Sequence, residues 1–298
     1  MKVGIIGVGV VGGATAEVFK RAHELYLYDK YKEPYNTQDR LDELAKNSEV
    51  VFICVPTPMK LSGAIDYSAV YNSVEQLLES VKKCGRNAEE MIVVIRSTAV
   101  SGTTDSLAKK YPFKFAFNPE FLTERNALKD MENTDRVVLG VAEEEVKEKL
   151  LALYKALFPH AKYIVVDRKT AEMIKYAANV MLASQIAIAN ELYQICRASG
   201  VDYELVKNAI LLDERIGRNI NVPGPDGDLG FGGKCFPKDL NALIYLAREH
   251  GYRPYLLESV WLLNERVRTK KDWYDIPGAV SEEIVAKLSG KDGEKEQG

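Results

Sequence analysis

The sequence contains few of the residues that would indicate a metal site, a disulfide scaffold or a membrane. Its four cysteines are far apart and form no Cys-x-x-Cys pair, which argues against zinc and disulfide frameworks and favours reduced thiols. No stretch has the roughly 18 apolar residues that a membrane span needs. Lys and Arg number 40 against 43 Asp and Glu, so no basic excess indicates nucleic acid. We expect a soluble protein that binds a small molecule and no metal.

Histidine is also scarce, and His23, His160 and His250 fall outside every motif. This argues against a Cys-His protease and against a dehydrogenase that uses histidine, so acid–base chemistry must come from a carboxylate or a lysine. Lys2 and the apolar residues after it could pass for a signal peptide, but glycine spacing explains this run better. We therefore expect a cytoplasmic protein.

The length of 298 residues predicts two domains. We place a dinucleotide-binding domain at residues 1–168 and a helical domain at residues 169–272. Residues 273–298 form a C-terminal segment, and its charged, glycine-rich end is expected to be disordered.

The start of the chain has the order strand, glycine turn, helix, strand. The turn has the sequence Gly7-Val8-Gly9-Val10-Val11-Gly12. In a dinucleotide fold the first glycine permits the turn, the second admits the pyrophosphate, and the third lets helix and strand pack closely. Asp29 ends the next strand, where a carboxylate accepts ribose hydroxyls, and this favours NAD over NADP. Lys30 and Lys32 keep NADP open, and a glycine turn without a ligand is the structural alternative.

Uniformly apolar strands recur along the first domain and predict a Rossmann-type, doubly wound parallel sheet with helices on both faces. The predicted strands are residues 2–6, 25–28, 50–55, 91–95, 114–118, 136–140 and 163–166. Ligands bind at the carboxyl edge of such a sheet, where Pro56-Thr57-Pro58 and Ser97-Thr98 follow two strands. Glu120 and Glu124 follow a third strand with the spacing that puts two carboxylates on one face of a helical turn. Such a pair is either a solvated face or part of a site.

One long helix is predicted from residue 170 to residue 199, with Gly200 as its cap, and an all-helical domain is expected around it. Between Met173 and Ala189 the helix is apolar nearly all round, so a second domain or a partner subunit should cover it. Lys175 and Asn179 interrupt this surface on one face. The lysine either extends its ammonium to solvent or faces a polar pocket, and its asparagine neighbour favours the pocket.

The candidate reaction centre is the stretch Phe231-Gly232-Gly233-Lys234-Cys235-Phe236-Pro237-Lys238-Asp239. Glycines before Cys235 let the backbone approach a ligand, as a positioned nucleophile requires. Cys235 could equally be a small apolar residue in a glycine-rich turn.

Six motifs in one order give the chain a resemblance, from residue 1 to about residue 268, to the UDP-glucose/GDP-mannose dehydrogenase family. They are the glycine turn, Val55-Pro56-Thr57-Pro58 with Ser97-Thr98, Asn118-Pro119-Glu120-Phe121-Leu122-Thr123-Glu124, Ala171-Glu172-Met173-Ile174-Lys175-Tyr176 with Asn179, Arg215-Ile216-Gly217, and the cysteine stretch. The family usually has a further C-terminal domain that binds the nucleotide sugar, so we expect a short form that lacks it.

The resemblance implies oxidation of UDP-glucose to UDP-glucuronate by two NAD molecules through a thioester on Cys235. The implied catalytic residues are Cys235, Lys175, Glu120, Asn179, Asp239 and Thr98. The implied cofactor residues are Gly7, Val8, Gly9, Val10, Val11, Gly12, Asp29, Pro56, Thr57, Thr98, Glu124 and Lys238. The implied substrate residues are Glu120, Phe121, Leu122, Lys175, Asn179, Arg215 and Gly232.

The resemblance also implies a homodimer built on the long helix, with Arg215 reaching the substrate of the neighbouring subunit. Two alternatives remain, a two-electron hydroxyacid dehydrogenase and an NAD-binding relative without turnover. The sequence leaves the choice among UDP-glucose, N-acetylated sugars and GDP-linked sugars open.

Overall fold

The computed structural model describes residues 1–217 and 220–288, apart from the side chains of Glu124, Lys287 and Leu288. The predicted disorder of the last residues lies outside this described part. The chain forms two compact units. The first contains Met1–Thr57 and Tyr67–Lys175, and the second contains Pro58–Asp66 and the chain from Tyr176 onward.

A single sheet of seven strands forms the centre of the first unit. The strands are β1 (Lys2–Ile6), β2 (Glu24–Tyr28), β3 (Val50–Ile53), β4 (Ile92–Ile95), β5 (Lys114–Phe117), β6 (Arg136–Gly140) and β7 (Lys162–Val166). Their order is β2-β1-β3-β4-β5-β6-β7. All neighbours pair in parallel except β5 and β6, which are antiparallel and pair at Phe117 and Gly140. The doubly wound sheet is confirmed, and the one reversal had no sequence signal because an apolar strand reads alike in both directions.

Helices connect the strands and make up most of the second unit. They are α1 (Val10–Phe19), α2 (Gln38–Asn47), α3 (Ser68–Lys83), α4 (Thr103–Lys110), α5 (Ala127–Glu132), α6 (Glu144–Lys155), α7 (Arg168–Ser199), α8 (Tyr203–Ile210), α9 (Phe236–Glu249), α10 (Tyr255–Val267) and α11 (Glu282–Leu288). Gly200 has a φ of +69° after α7, as a helix-ending glycine does.

The strands of the sheet bury alternate residues on its two faces. One face packs Val51, Val93 and Phe115 against residues of α2, α3 and α4. The other face packs Phe52 and Val94, with their neighbours, against residues of α1, α5 and α6. Coverage on both faces explains why these strands are apolar throughout.

The second unit has its own apolar core. Val180, Ala183 and Ala187 of α7 pack against residues of α9 and α10. A further cluster forms around Trp273 and Met59 and continues to α11. Among the described helices, none is both apolar enough and long enough to pass through a bilayer.

The helices differ from the sequence prediction at several places, since α2, α5 and α11 were not expected and α9 was expected to begin only at Asp239. The prediction missed α2, which is mostly polar and buries only Leu41, Leu44 and Ala45. It also started α9 too late, because α9 begins at Phe236 and has Cys235 as its N-cap. Pro237 fits this earlier start, since proline is well tolerated in the first turn of a helix.

The long helix α7 keeps apolar side chains exposed in this chain. Met181 is 63% exposed and Ile188, one heptad later, is 60% exposed. The second unit of this chain therefore covers only part of the apolar surface of α7, and a partner subunit would have to cover the rest if the expectation is to hold.

Glu172, near the start of α7, closes the N-terminus of α4. Its buried carboxylate accepts hydrogen bonds from the Gly102 amide (2.6 Å), the Thr104 amide (2.8 Å) and the Thr104 hydroxyl (2.6 Å). These amides belong to a helix end that lacks intrahelical acceptors. Burial nevertheless raises the pKa of the Glu172 carboxyl above its ordinary value, because the hydrogen bonds offset only part of the desolvation.

Replacing Glu172 by glutamine should change how stability depends on pH. The folded protein holds the Glu172 proton more tightly than the unfolded chain does, so the wild type should lose unfolding free energy relative to Glu172→Gln as pH rises. This loss begins near the unfolded pKa and ends above the raised folded pKa, with a slope of at most about 1.4 kcal/mol per pH unit. Urea denaturation of both proteins across this range measures it. A difference that grows in favour of the wild type with rising pH would contradict the assignment.

Candidate active site

The glycine turn has the geometry of a dinucleotide cradle. Gly7 has a φ of +91°, a conformation that favours glycine, and its amide donates to the Tyr28 carbonyl (2.9 Å). A Cβ on Gly12 would lie 1.8 Å from the Gly7 carbonyl oxygen, whereas a Cβ on Gly9 would meet no atom within 4 Å. The surface at Gly9 is therefore open to a ligand, at the N-cap of α1, where helix amides favour phosphate.

Asp29 lies beside this turn, as the sequence predicted. Its Oδ2 atom accepts from the Val8 amide (2.7 Å), and its Oδ1 atom accepts from the amides of Tyr31 (2.9 Å) and Lys32 (3.0 Å). A carboxylate has about four acceptor positions, so capacity remains for a ribose hydroxyl. The Lys32 ammonium donates to the Val8 carbonyl (3.0 Å) at the same turn. Asp29, Gly7, Gly9 and Gly12 together fit a dinucleotide.

The other predicted cofactor residues follow β3 and β4. Thr57 is buried and Pro56 is exposed just after β3. After β4, the Ser97 hydroxyl donates to the Val55 carbonyl (2.7 Å), which ties the two connections together, and Thr98 is half-buried beside it. The side chain of Glu124 lies outside the described residues.

A buried ion pair links Glu120 to Lys175. The Lys175 Nζ atom lies 3.0 Å from Glu120 Oε1, and both side chains are at most 9% exposed. The other oxygen of Glu120 accepts from the Leu122 amide (2.7 Å), which fixes the carboxylate in place. Lys175 therefore faces a polar partner, and does not extend its ammonium to solvent.

The predicted helical turn that would place Glu120 and Glu124 on one face is wrong. Residues 118–123 have no helical structure, and a 3-10 helix begins only at Glu124. Pro119 explains part of this, because the residue before a proline is disfavoured in helical conformation and a proline lacks an amide donor. The i, i+4 spacing therefore carries no information about these two carboxylates.

A pocket of about 340 Å³ adjoins Glu120 in the first unit. Phe121 and Leu122 line it, and the Arg136 guanidinium stacks on the Phe121 ring at 4.2 Å. Arg96 also lines it and donates to Asn118 and to the Tyr154 hydroxyl (3.1 Å). The sequence analysis missed Arg96, although a charged residue directly after an all-apolar strand is a signal for a partner or a ligand.

Cys235 is half-buried and forms the N-cap of α9. Its carbonyl accepts the first helical hydrogen bond from the Asp239 amide (2.8 Å). A helix N-terminus carries partial positive charge, which stabilises a thiolate relative to a thiol. Cys54 differs, because desolvation raises the pKa of its thiol to about 12 and keeps it protonated at neutral pH.

The start of α9 also carries a buried polar network. The Asn179 amide nitrogen donates to Asp239 Oδ2 (2.5 Å), and the Lys238 ammonium donates to Asp239 Oδ1. All three side chains are buried, so the charge on Asp239 is compensated without solvent. In the second unit the structure thus brings together Asn179, Lys238 and Asp239, three of the predicted residues.

Two further predicted residues lie elsewhere. Arg215 is highly exposed and its Nε atom donates to Asp213 Oδ1 (2.8 Å). Gly232 lies just before Cys235, where a Cβ would fall 2.1 Å from an Arg268 nitrogen. Within the described residues no cluster of three His, Cys, Asp or Glu side chains could hold a metal ion.

The variants Gly9→Ala and Gly12→Ala should separate cofactor binding from folding. Gly9→Ala should leave the free energy of unfolding within about 0.5 kcal/mol, since its Cβ meets open space. It should weaken NAD binding about tenfold or more, because the methyl group occupies the approach to the pyrophosphate. Gly12→Ala should also destabilise the fold, by about 1–3 kcal/mol.

Urea unfolding and calorimetric titration with NAD measure the two effects. Wild-type NAD affinity in Gly9→Ala would show that the cofactor does not lie on this turn.

Comparison with known proteins places these sites in one family. Two sequence models of the UDP-glucose/GDP-mannose dehydrogenase family match, the NAD binding domain at residues 24–158 and the central domain at residues 169–266. The UDP-glucose 6-dehydrogenase of Rickettsia felis is 37% identical over 227 residues, which are 74% of this chain and 48% of the relative. The Pseudomonas aeruginosa enzyme of that name is 33% identical over 308 residues, covering 89% of this chain and 66% of the relative. The chain thus spans about half to two thirds of these relatives.

A solved structure agrees with the sequence matches. The UDP-glucose dehydrogenase from the hyperthermophilic archaeon Pyrobaculum islandicum is 30% identical, with a TM-score of 0.77 over 89% of this chain and 68% of that chain. The matched NAD binding domain contains Asp29 and Glu120, and the matched central domain contains Lys175, Asn179 and Cys235. On these grounds, the chain belongs to the UDP-glucose/GDP-mannose dehydrogenase family, and its cofactor is NAD.

Proposed function

We propose that this chain oxidises the C6 alcohol of UDP-glucose to a carboxylate, giving UDP-glucuronate, with Cys235 as a covalent nucleophile. The observation that carries the proposal is the position of Cys235 as N-cap of α9, three residues before a buried Lys238–Asp239 pair. A half-buried thiol at a helix N-terminus is suited to react as a thiolate. Relatives named UDP-glucose 6-dehydrogenase support the choice of substrate.

The reaction takes four electrons from the sugar in two oxidations. NAD supplies the chemistry of hydride acceptance, one molecule for each oxidation. In the first, C6 loses a hydride and its hydroxyl loses a proton, which leaves an aldehyde. The Cys235 sulfur then adds to the aldehyde carbon to form a thiohemiacetal, which loses a second hydride and a proton to become a thioester. Water cleaves the C–S bond, releasing the carboxylate and returning the thiol.

The charged residues divide the proton and oxyanion chemistry between them. Lys175 and Asn179 are assigned to the oxyanions that develop at C6, since an ammonium and an amide both donate hydrogen bonds. Glu120, together with Thr98, is assigned to the attacking water and its proton. The ion pair of Glu120 with Lys175 (3.0 Å) supports this, because a fixed carboxylate beside an ammonium can pass protons without a histidine. Asp239 orients its polar neighbours and the water.

The remaining contacts follow the family resemblance. Phe121, Leu122 and Gly232 are assigned to the sugar, and Lys238 and Glu124 to the nicotinamide side. We propose a homodimer through the exposed apolar face of α7, which includes Met181 and Ile188. Arg215 would then serve the substrate of the neighbouring subunit, for which its high exposure leaves it available. Reduced cysteines and a small soluble substrate favour the cytoplasm.

Replacing Cys235 by serine should block the second oxidation. Serine is a weaker nucleophile than a thiolate, so Cys235→Ser should release about one NADH per sugar, or hold the sugar covalently, with overall turnover at least about a hundredfold slower. Cys196→Ser is the matched control, because Cys196 is also half-buried but lies outside the assigned site. NADH absorbance and intact mass spectrometry measure the outcome.

The outcomes distinguish the alternatives. Wild-type turnover in Cys235→Ser, with one NADH per substrate, would favour a two-electron dehydrogenase. Tight NAD binding without NADH from any nucleotide sugar, in the unaltered protein, would favour an NAD-binding relative without turnover.

A further inference from the structure

The backbone that leads to Cys235 is held by side chains that are distant in sequence. The Gly230 amide donates to Asn190 Oδ1 of α7 (2.9 Å). The Phe231 amide donates to Asn264 Oδ1 of α10 (2.7 Å), and the Asn264 amide nitrogen donates back to the Phe231 carbonyl (3.0 Å). Both asparagines are buried. Gly230, just before the cysteine stretch, is therefore fixed to α7, and Phe231, its first residue, is fixed to α10.

Asp272 supplies the next contact, closest to the cysteine. Its Oδ2 atom accepts from the Gly233 amide (3.0 Å), two residues before Cys235. Gly233 has a φ of +73°, a turn conformation that an ordinary residue resists. The Asp272 carboxylate thus holds a turn at Gly233 that belongs to neither a helix nor a strand.

Arg268 fixes Asp272 in turn. Its Nη2 atom donates to Asp272 Oδ1 (2.9 Å) and to Asp226 Oδ2 (2.6 Å), and its Nη1 atom donates to the Leu229 carbonyl (3.3 Å). The Arg268 side chain is only 1% exposed. A buried guanidinium that donates to two carboxylates has little freedom, because moving it would break charge-assisted hydrogen bonds.

The fit between this group and the turn is close. A Cβ on Gly232 would lie 2.1 Å from Arg268 Nη2 and 2.2 Å from Asp272 Oδ1. The backbone at Gly232 therefore packs directly on the ion pair, which only glycine allows. The segment after Asp272 is anchored as well. Trp273 is buried, with its ring centroid 5.6 Å from that of Trp261, and the Met59 amide donates to the Ala279 carbonyl (3.0 Å).

We propose that Asp272, fixed by Arg268, is a positioning residue for Cys235. This inference rests on the proposed function, in which the Cys235 sulfur adds to the aldehyde. Bond formation needs the sulfur about 3–3.5 Å from the carbon, and a misplacement of about 1 Å can cost about a hundredfold in rate. The first hydride transfer does not use the thiol. Loosening the turn should therefore slow the second oxidation and spare the first.

Three variants of the full chain test this positioning. Asp272→Ala removes the acceptor of the Gly233 amide, whereas Asp272→Asn keeps an acceptor oxygen at the same place. Glu258→Ala is the matched control. Glu258 on α10 is also a carboxylate that binds two guanidinium groups, and these belong to Arg248 and Arg253, not to the residues that hold the turn.

Two measurements are made on each variant. Amide hydrogen exchange of peptides covering residues 230–236 reports on the turn without any turnover. Single-turnover NADH formation from UDP-glucose separates the first oxidation from the second.

In Asp272→Ala, exchange at the turn should rise about tenfold or more. The second oxidation should slow about tenfold or more, while the first stays within about twofold. Asp272→Asn should recover most of both effects, and Glu258→Ala should match the wild type. If Asp272→Ala does not fold, Asp272→Asn, which retains an acceptor oxygen for the Gly233 amide, is still compared with the wild type in both measurements.

Three results would overturn the inference. They are unchanged exchange at the turn in Asp272→Ala, equal slowing of both oxidations, and an Asp272→Asn variant as impaired as the alanine. If the wild type itself forms no NADH, the proposed function fails, and hydrogen exchange alone decides whether Asp272 holds the turn before Cys235.

Discussion

Buried charge must be paired, and this constraint organises the functional parts of the structure. Lys175 pairs with Glu120 in the first unit, and Lys238 pairs with Asp239 in the second. Pairs of this kind seldom add stability over apolar residues of the same size, because desolvation offsets their attraction. Removing one partner is costly, however, so each pair holds its members in one arrangement. The same constraint applies to the buried guanidinium of Arg268, which is paired with Asp226 and Asp272, and Asp272 also accepts from the Gly233 amide of the turn before Cys235.

Much of the fold could be predicted because it depends on local patterns. A local periodicity or a characteristic residue type indicates the conformation of the apolar strands, the glycine turn and the long helix. The three glycines of the first turn have different spatial environments, which their spacing anticipated. The direction of β6 could not be predicted, because its apolar residues fit either orientation in a covered sheet.

The candidate site could be predicted only in part, because its partners are distant in sequence. Asn179 and Asp239 are 60 residues apart, and Gly233 and Asp272 are 39 apart. No local spacing indicates such contacts. The i, i+4 spacing of Glu120 and Glu124 was misleading, since residues 118–123 are not helical. The contacts of Glu172 and Asp272 were missed because an isolated charged residue has meaning only beside its partner. Arg96 did have a signal, its position directly after an apolar strand, which the sequence analysis did not use.

The central claim is that the sugar C6 forms a thioester with Cys235 on its way to the carboxylate. The number of NADH molecules formed per sugar tests this claim most directly. The unaltered protein would be incubated with limiting UDP-glucose and excess NAD, and the NADH formed would be read by absorbance. The account predicts two NADH for each UDP-glucose consumed. One NADH per sugar would contradict the covalent route, and no NADH from a protein that binds NAD would contradict turnover of this substrate.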